Sequence, residues 1–406
     1  MKDLTKNLMV AAAAATAMVG SMATADLADY FDSAASALPN KLSISAFEEV
    51  RYEDNIHNRS RNERGSLILK TGLGADIYAD KGDFRYGMVG SMSYDYYDHD
   101  SHDMNEFEWN LAPYISGNFN VLGDDTLTIN LKSRNKRERY DTADTRYVRK
   151  SINGGNLVYD MVANEKVGVL FGADYFYTHY SQKEFKARTH SDYGFSVSPY
   201  YRLDEKTKVG LRVAYDKRNY RNDDYDDDNY TWTINGFVNY IYNGQLNATF
   251  EAGMMKKNYD GLSGGGTDEN GRAYDNKNND WIPNYKLTVN YKANSQFTFR
   301  YVSAYGAEDT GSGRGLRTAY RNTFAASWSP NRKLDVTQAV SCLIHDEKNY
   351  NTDTTEYIYD LRATYKVTER VALYGGYRYD KVHYDQNHDA DYDDNEVYVG
   401  VKISLK

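Results

Sequence analysis

Apolar residues recur at every second position along most of this chain. Leu67, Leu69, Leu73, Ala75 and Ile77 make one such series, with Ser66, Lys70 and Asp76 on the alternate positions. Phe107, Trp109, Leu111, Pro113, Ile115 and Phe119 make another, as do Val167, Val169, Phe171, Ala173, Tyr175 and Tyr177. The pattern returns in Tyr193 to Tyr201, Val209 to Tyr215, Trp281 to Tyr291 and Tyr357 to Val367, and the chain closes on Val397, Val399, Val401, Ile403 and Leu405 around Lys402. A strand sends successive side chains to opposite faces, so period two predicts strands with one apolar and one polar side. A soluble sandwich and a membrane barrel both satisfy that pattern. Tyrosine and tryptophan gather toward the segment ends and Val, Leu and Ile fill the middles, the order imposed by a bilayer with two interfaces.

The connections sharpen this expectation. Short ones (ADKGD, NVLGDD, ANEK, LDEKT, YNGQ, KANS, SPNRK, VTER) alternate with long ones. The long set includes NIHNRSRNERG, the stretches around 98–104 and 136–146, SQKEFKARTHS, DKRNYRNDDYDDDN, the Gly-rich 257–280, GAEDTGSGRG, HDEKNYNTDT and DKVHYDQNHDADYDDN. About nine long and eight short connections predict about 18 strands in a single antiparallel up-and-down transmembrane barrel, all-β, with short periplasmic turns and long extracellular loops. Setting 25 residues aside from 406 leaves 381, or about 21 per strand and connector. A propeller or sandwich predicts no such alternation of loop lengths.

The first 25 residues read as a secretory signal peptide: Lys2 and Lys6, an apolar run rich in alanine, then Ala23-Thr24-Ala25. Residues 26–41 carry Leu27, Tyr30, Phe31, Ala34 and Leu38 at helical spacing before Pro39, a short periplasmic amphipathic helix or a lead-in. The barrel is expected over residues 42–406. A single cysteine, Cys342, excludes an internal disulfide framework. The mean hydropathy of -0.77 and the absence of a later apolar run of spanning length exclude a helical membrane protein. The net charge of -9 sits mostly in Asp-rich loops, and no basic stripe supports nucleic-acid binding.

Signal peptide, Tyr-rich alternating strands, short turns and acidic loops without a plug domain resemble a Gram-negative outer-membrane porin. More narrowly the chain is similar to the β-barrel porins associated with exopolysaccharide export systems. The resemblance covers roughly Leu42 to Lys406 and rests on architecture. It implies a channel for passive diffusion of hydrophilic solutes, located in the outer membrane. The alternatives are an export porin for a polysaccharide with periplasmic partners, and a structural or adhesive surface barrel. Outer-membrane lipid and lipopolysaccharide, the solutes or polysaccharide, and the barrel assembly machinery are the implied partners; no cofactor is implied and no oligomeric state is readable. Many such barrels end in an aromatic residue, whereas this chain ends Leu405-Lys406, which leaves Tyr398 and the aliphatic face to carry the assembly signal.

If lipid meets the apolar parity, the opposite parity faces the interior. It places Lys70, Lys132, Arg134, Arg212, Lys286, Arg300, Arg321, Arg362, Arg378 and Lys402 inside, with Glu108, Asp174, Glu251, Asp335 and Asp360 among them. Lys132, Arg212, Lys286, Arg300, Arg362 and Lys402 lie at similar distances from their short turns, predicting a modestly basic waist that neighbouring carboxylates offset. Asp389, Asp391 and Asp393 offer hard oxygens for calcium but lack a complete ligand set. The histidines His57, His99, His102, His179, His190, His345, His383 and His388 fall in or beside long loops without a serine or acid dyad of recognisable spacing, so no catalysis is expected.

Overall fold

A computed structural model describes residues 41–56, 65–81, 84–98, 105–118, 125–139, 147–221, 228–259, 266–267, 273–274, 281–309, 316–347, 352–385 and 391–405. The expected signal peptide and the 26–40 part of the lead-in lie outside the described residues. The strands are β1 Lys41–Glu53, β2 Ser66–Lys81, β3 Phe84–Tyr97, β4 Glu106–Asn118, β5 Thr126–Arg139, β6 Tyr147–Val162, β7 Val167–Tyr180, β8 His190–Arg202, β9 Thr207–Tyr220 and β10 Asn229–Tyr242. They continue as β11 Leu246–Tyr259, β12 Gly266–Thr267, β13 Ala273–Tyr274, β14 Trp281–Lys292, β15 Phe297–Asp309, β16 Leu316–Trp328, β17 Leu334–Glu347, β18 Thr352–Lys366, β19 Val371–Tyr384 and β20 Tyr392–Ser404.

Eighteen of these form one antiparallel sheet. Each strand pairs with its neighbours in sequence, β11 passes to β14 across the small β12–β13 hairpin, and β1 pairs with both β2 and β20. That last pairing closes the cylinder and leaves the large sheet without an edge, the condition for a sheet to cross lipid.

The apolar parity forms the outer surface. Val399 is 63% and Phe195 62% exposed, and Val50, Leu69, Val197, Leu211, Phe250, Val340 and Leu373 are exposed with them. Rings edge this surface at both ends: Tyr291, Phe297, Phe299 and Trp328 pack together near the short turns, while Tyr215 and Trp232, 4.8 Å between ring centroids, stand nearer the long-loop end. These are the aromatic girdles of a barrel in a bilayer.

Short turns have a common chemistry. Asn164, Asn294 and Asn331 each accept two backbone N–H groups two and three residues ahead, and Thr368 does the same with its hydroxyl. Asp204 accepts from the backbone N–H of Lys206. These are side-chain mimics of a backbone turn. At Asn243-Gly244 both residues take positive φ, 48° and 65°, as a type I′ turn requires.

The eighteen strands of the large sheet run longer than the roughly ten residues expected, from 12 in β14 to 16 in β2 and β6. Several stretches expected as loops are strand: β5 runs to Arg139, β9 to Tyr220, β19 to Tyr384, and β20 starts at Tyr392 inside the Asp-rich tract. The low strand propensity of Asp and Asn gives way here to ladder hydrogen bonds and cross-strand partners, because propensity is a weak backbone preference. Lys381 and Asp393, for example, stand opposite one another in register.

Candidate functional site: the charged inner wall

Directly opposed residues of antiparallel strands share a face, so the register fixes which side chains line the interior. Lys70, Lys132, Arg134, Arg212, Lys286, Arg300, Arg321, Arg362, Arg378 and Lys402 all lie on the face opposite the exposed apolar surface, together with Glu251 and Asp360. They do not gather into one ring. Two regions of different character emerge.

The first spans β18 to β20 and β1 to β4. Lys70 is 4% exposed, and its Nζ lies 3.0 Å from Asp95 Oδ2 and 2.9 Å from Glu108 Oε2. Arg51 bridges Glu49 at 2.6 Å and Glu396 at 3.5 Å. Arg362 grips Asp360 with two bonds, 2.7 and 2.8 Å, and Arg378 stands opposite Asp360 in register while reaching Asp380 at 3.4 Å. Inward rings fill the space beside them by lying on glycines of the next strand, as Phe47 does on Gly72 and Tyr398 on Gly376. Cations and carboxylates are here locked to one another and largely shielded.

The second region spans β9 to β16. Glu251, Lys286, Ala304 and Arg321 face one another in a row across four strands. On the long-loop side of that row, Asn235, Gly253 and Asn284 form the next one, with Gly306 opposite Ala319. The alanines and glycines leave a recess of about 290 Å³, lined also by Arg212, Asp216, Met255 and Glu308. The ion pairs at the recess itself are long: Arg212 lies 3.6 Å from Glu251, and Glu308 lies 3.5 Å from both Arg321 and Arg317. The Arg212 side chain is 43% exposed, and Lys286 is exposed and makes no ion pair among the described residues.

Lys132 stands opposite Gly154, Arg134 opposite Asn110 and Ile152, Arg300 opposite Asn290 and Ala325, and Lys402 opposite Phe47 and Ala372. Of the calcium candidates, Asp389 lies outside the described residues. Asp391 accepts from the Tyr384 backbone N–H and lies 2.6 Å from His383 Nδ1, and Asp393 faces Lys381. His57, His99, His102 and His388 lie outside the described residues, and His190 rests its Nδ1 2.8 Å from the Arg188 carbonyl oxygen.

Several wall residues do not stand out from the sequence pattern. Glu49 and Arg51 sit on β1, where Leu42, Ile44, Ala46, Val50 and Tyr52 alternate but Glu48 interrupts the series. Asp95, Asp216 and Glu308 carry a usable signal in their parity, since each falls two residues from another inward position on its strand.

No protein-family model matches the chain, and no curated protein matches it. Among solved structures it is similar to the outer membrane protein OpdK from Pseudomonas aeruginosa, at 10% identity and a TM-score of 0.48 over 91% of this chain and 100% of that one. It is similar to a BenF-like porin from Pseudomonas fluorescens Pf-5 at 11% identity and 0.47, with 91% and 100% covered, and to OccAB2 from Acinetobacter baumannii at 12% and 0.45, with 90% and 98% covered. Likeness at that level carries no weight for function, and the transmembrane barrel stands on the strand pairing and the two faces of the wall.

Proposed function

We propose that the protein is a porin-like channel of a Gram-negative outer membrane, through which small hydrophilic solutes diffuse passively. The observation that supports this most is the division of one closed wall into an apolar exterior and an interior that carries charged residue types around most of its circumference. Barrels of 16 to 18 strands enclose an aqueous lumen, and charged rows along such a lumen bias which ions pass. The wall is not uniformly basic in this reading. Its cations stand beside carboxylates, and preference between ions comes from those least engaged, above all Lys286. Lipid and lipopolysaccharide surround the exterior, and assembly machinery inserts the barrel.

The test is conductance of purified, refolded protein in planar bilayers under a salt gradient. Stable stepwise currents are expected. Silence from a barrel shown to be folded, by its heat-sensitive electrophoretic mobility and strand-rich circular dichroism, would overturn the channel reading.

A further inference from the structure

We infer that the recess on β9 to β16 is a binding subsite for small zwitterions, solutes carrying one carboxylate and one ammonium group. The inference rests on the channel reading for its biological sense, and on the recess alone for its chemistry.

Size comes first. The floor is made of Ala214, Ala304, Gly306 and Ala319, inward positions of β9, β15 and β16 where larger side chains would fill the hollow. The hollow of about 290 Å³ is room for a free amino acid.

Charge decides the class. The row nearer the short turns presents Lys286 and Arg321 beside Glu251, and the long-loop side presents Asp216 and Glu308 beside Arg212, so the first edge is net positive and the second net negative. A carboxylate entering the recess meets Lys286 and the Arg321 guanidinium, while an ammonium group on the same solute meets the carboxylates of Glu308 and Asp216. Glu308 lies 3.5 Å from both Arg321 and Arg317, and Arg212 lies 3.6 Å from Glu251; these contacts are longer than the two-bond grip of Arg362 on Asp360, and a solute's own charges compete for them. A dianion is repelled by Glu251 and Glu308, a diamine by Lys286 and Arg212, and only a solute of both signs satisfies both edges. A sugar finds no ring to lie on: Tyr285 and Tyr305 border the recess through their backbone, and the register sends both side chains to the lipid face.

Calorimetric titration of the detergent-folded, full-length barrel tests this with glutamine, glutarate, 1,5-diaminopentane and glucose as probes. Saturable glutamine binding is expected, at least tenfold tighter than for the other three. Lys286→Gln should weaken it at least tenfold by removing the carboxylate partner, and Ala304→Leu should do the same by filling the hollow with charge unchanged. Lys132→Gln on β5, outside the recess, should leave it as it was. No saturable binding, equal binding of glucose or glutarate, or indifference to both recess variants in verified folded protein would overturn the subsite. Conductance of the same preparation separates the two readings: current without binding removes the subsite alone, and binding without current removes the channel alone.

Discussion

Thr71 donates its hydroxyl to Glu48 on the outer surface of the barrel, 3.0 Å between Oγ1 and Oε1. The two residues are opposed in register, Val401 faces Glu48 from the other side, and Ala46 and Val50 flank it along β1. A carboxyl group therefore interrupts an aliphatic band at the seam where the first and last strands close the cylinder. Outward charges elsewhere, such as Lys217, Lys256 and Lys381, stand toward the long-loop ends of their strands. A charge on the lipid face destabilises a barrel in proportion to its depth, less for acids than for Lys or Arg. Glu48→Leu should raise stability by about 1–2 kcal/mol, and Glu48→Lys, which exchanges one charge for a costlier one, should lower it by about 1–2 kcal/mol. Urea unfolding from lipid vesicles measures both, and a loss of stability in the leucine variant would mean that the carboxyl is engaged within the membrane.

The Lys70 ammonium between Asp95 and Glu108 makes the opposite case. All three lie deep in the shielded half of the wall, and removing one partner of such a group leaves an uncompensated charge. Lys70→Met should cost about 3–5 kcal/mol, whereas removing all three charges with Lys70→Met, Asp95→Asn and Glu108→Gln should recover most of that loss. The same unfolding measurement reads the cycle, and equal losses in the single and triple variants would show that packing, not charge balance, sets the cost.

The short turns give a pH dependence. Hydrogen bonds donated first by the Lys206 backbone N–H and then by the Thr207 side chain and backbone hold the exposed Asp204 carboxyl below the ordinary value. A group whose folded pKa is depressed stabilises above its unfolded value, about 3.9 for Asp, and loses that contribution as pH falls through the folded value. Asp204→Ala should therefore be less stable than the natural chain at neutral pH, and the gap should close on acidification below about pH 4. A gap that stays constant down to pH 2 would assign the turn's stability to something other than the ionised carboxylate.

Much of this architecture is legible in the amino-acid sequence. Period two, aromatic segment ends and alternating loop lengths specify the barrel, because the bilayer imposes all three on the chain. The inward parity of Lys70 or Lys286 follows from the same rule, since one residue of slippage would put the apolar set inside. What parity does not convey is who meets whom around the circumference. That Lys286 faces Glu251 depends on the register across 260–280, a segment whose length does not dictate pairing. The hollow depends on Ala and Gly falling on one level in several strands, a coincidence that only the completed register exposes. Strand ends are obscured for a different reason: Asp and Asn look like loop residues wherever strand extensions carry them beyond the apolar band.

The two halves of the wall should differ in what they contribute to ion preference. Lys286 is exposed and without an ion pair among the described residues, so its field reaches passing ions. Asp360 and Arg362 form a closed pair whose net charge is zero. Lys286→Gln should shift the reversal potential toward cations, while Asp360→Asn combined with Arg362→Gln should leave it unchanged. Screening provides an internal check, because the Debye length falls from about 10 Å at 0.1 M salt to about 3 Å at 1 M. The Lys286 effect should therefore shrink as salt rises. A larger shift from the paired variant than from Lys286→Gln would mean that selectivity is set in the shielded half of the wall, and that the loosely held cations of β9 to β16 serve solute contact alone.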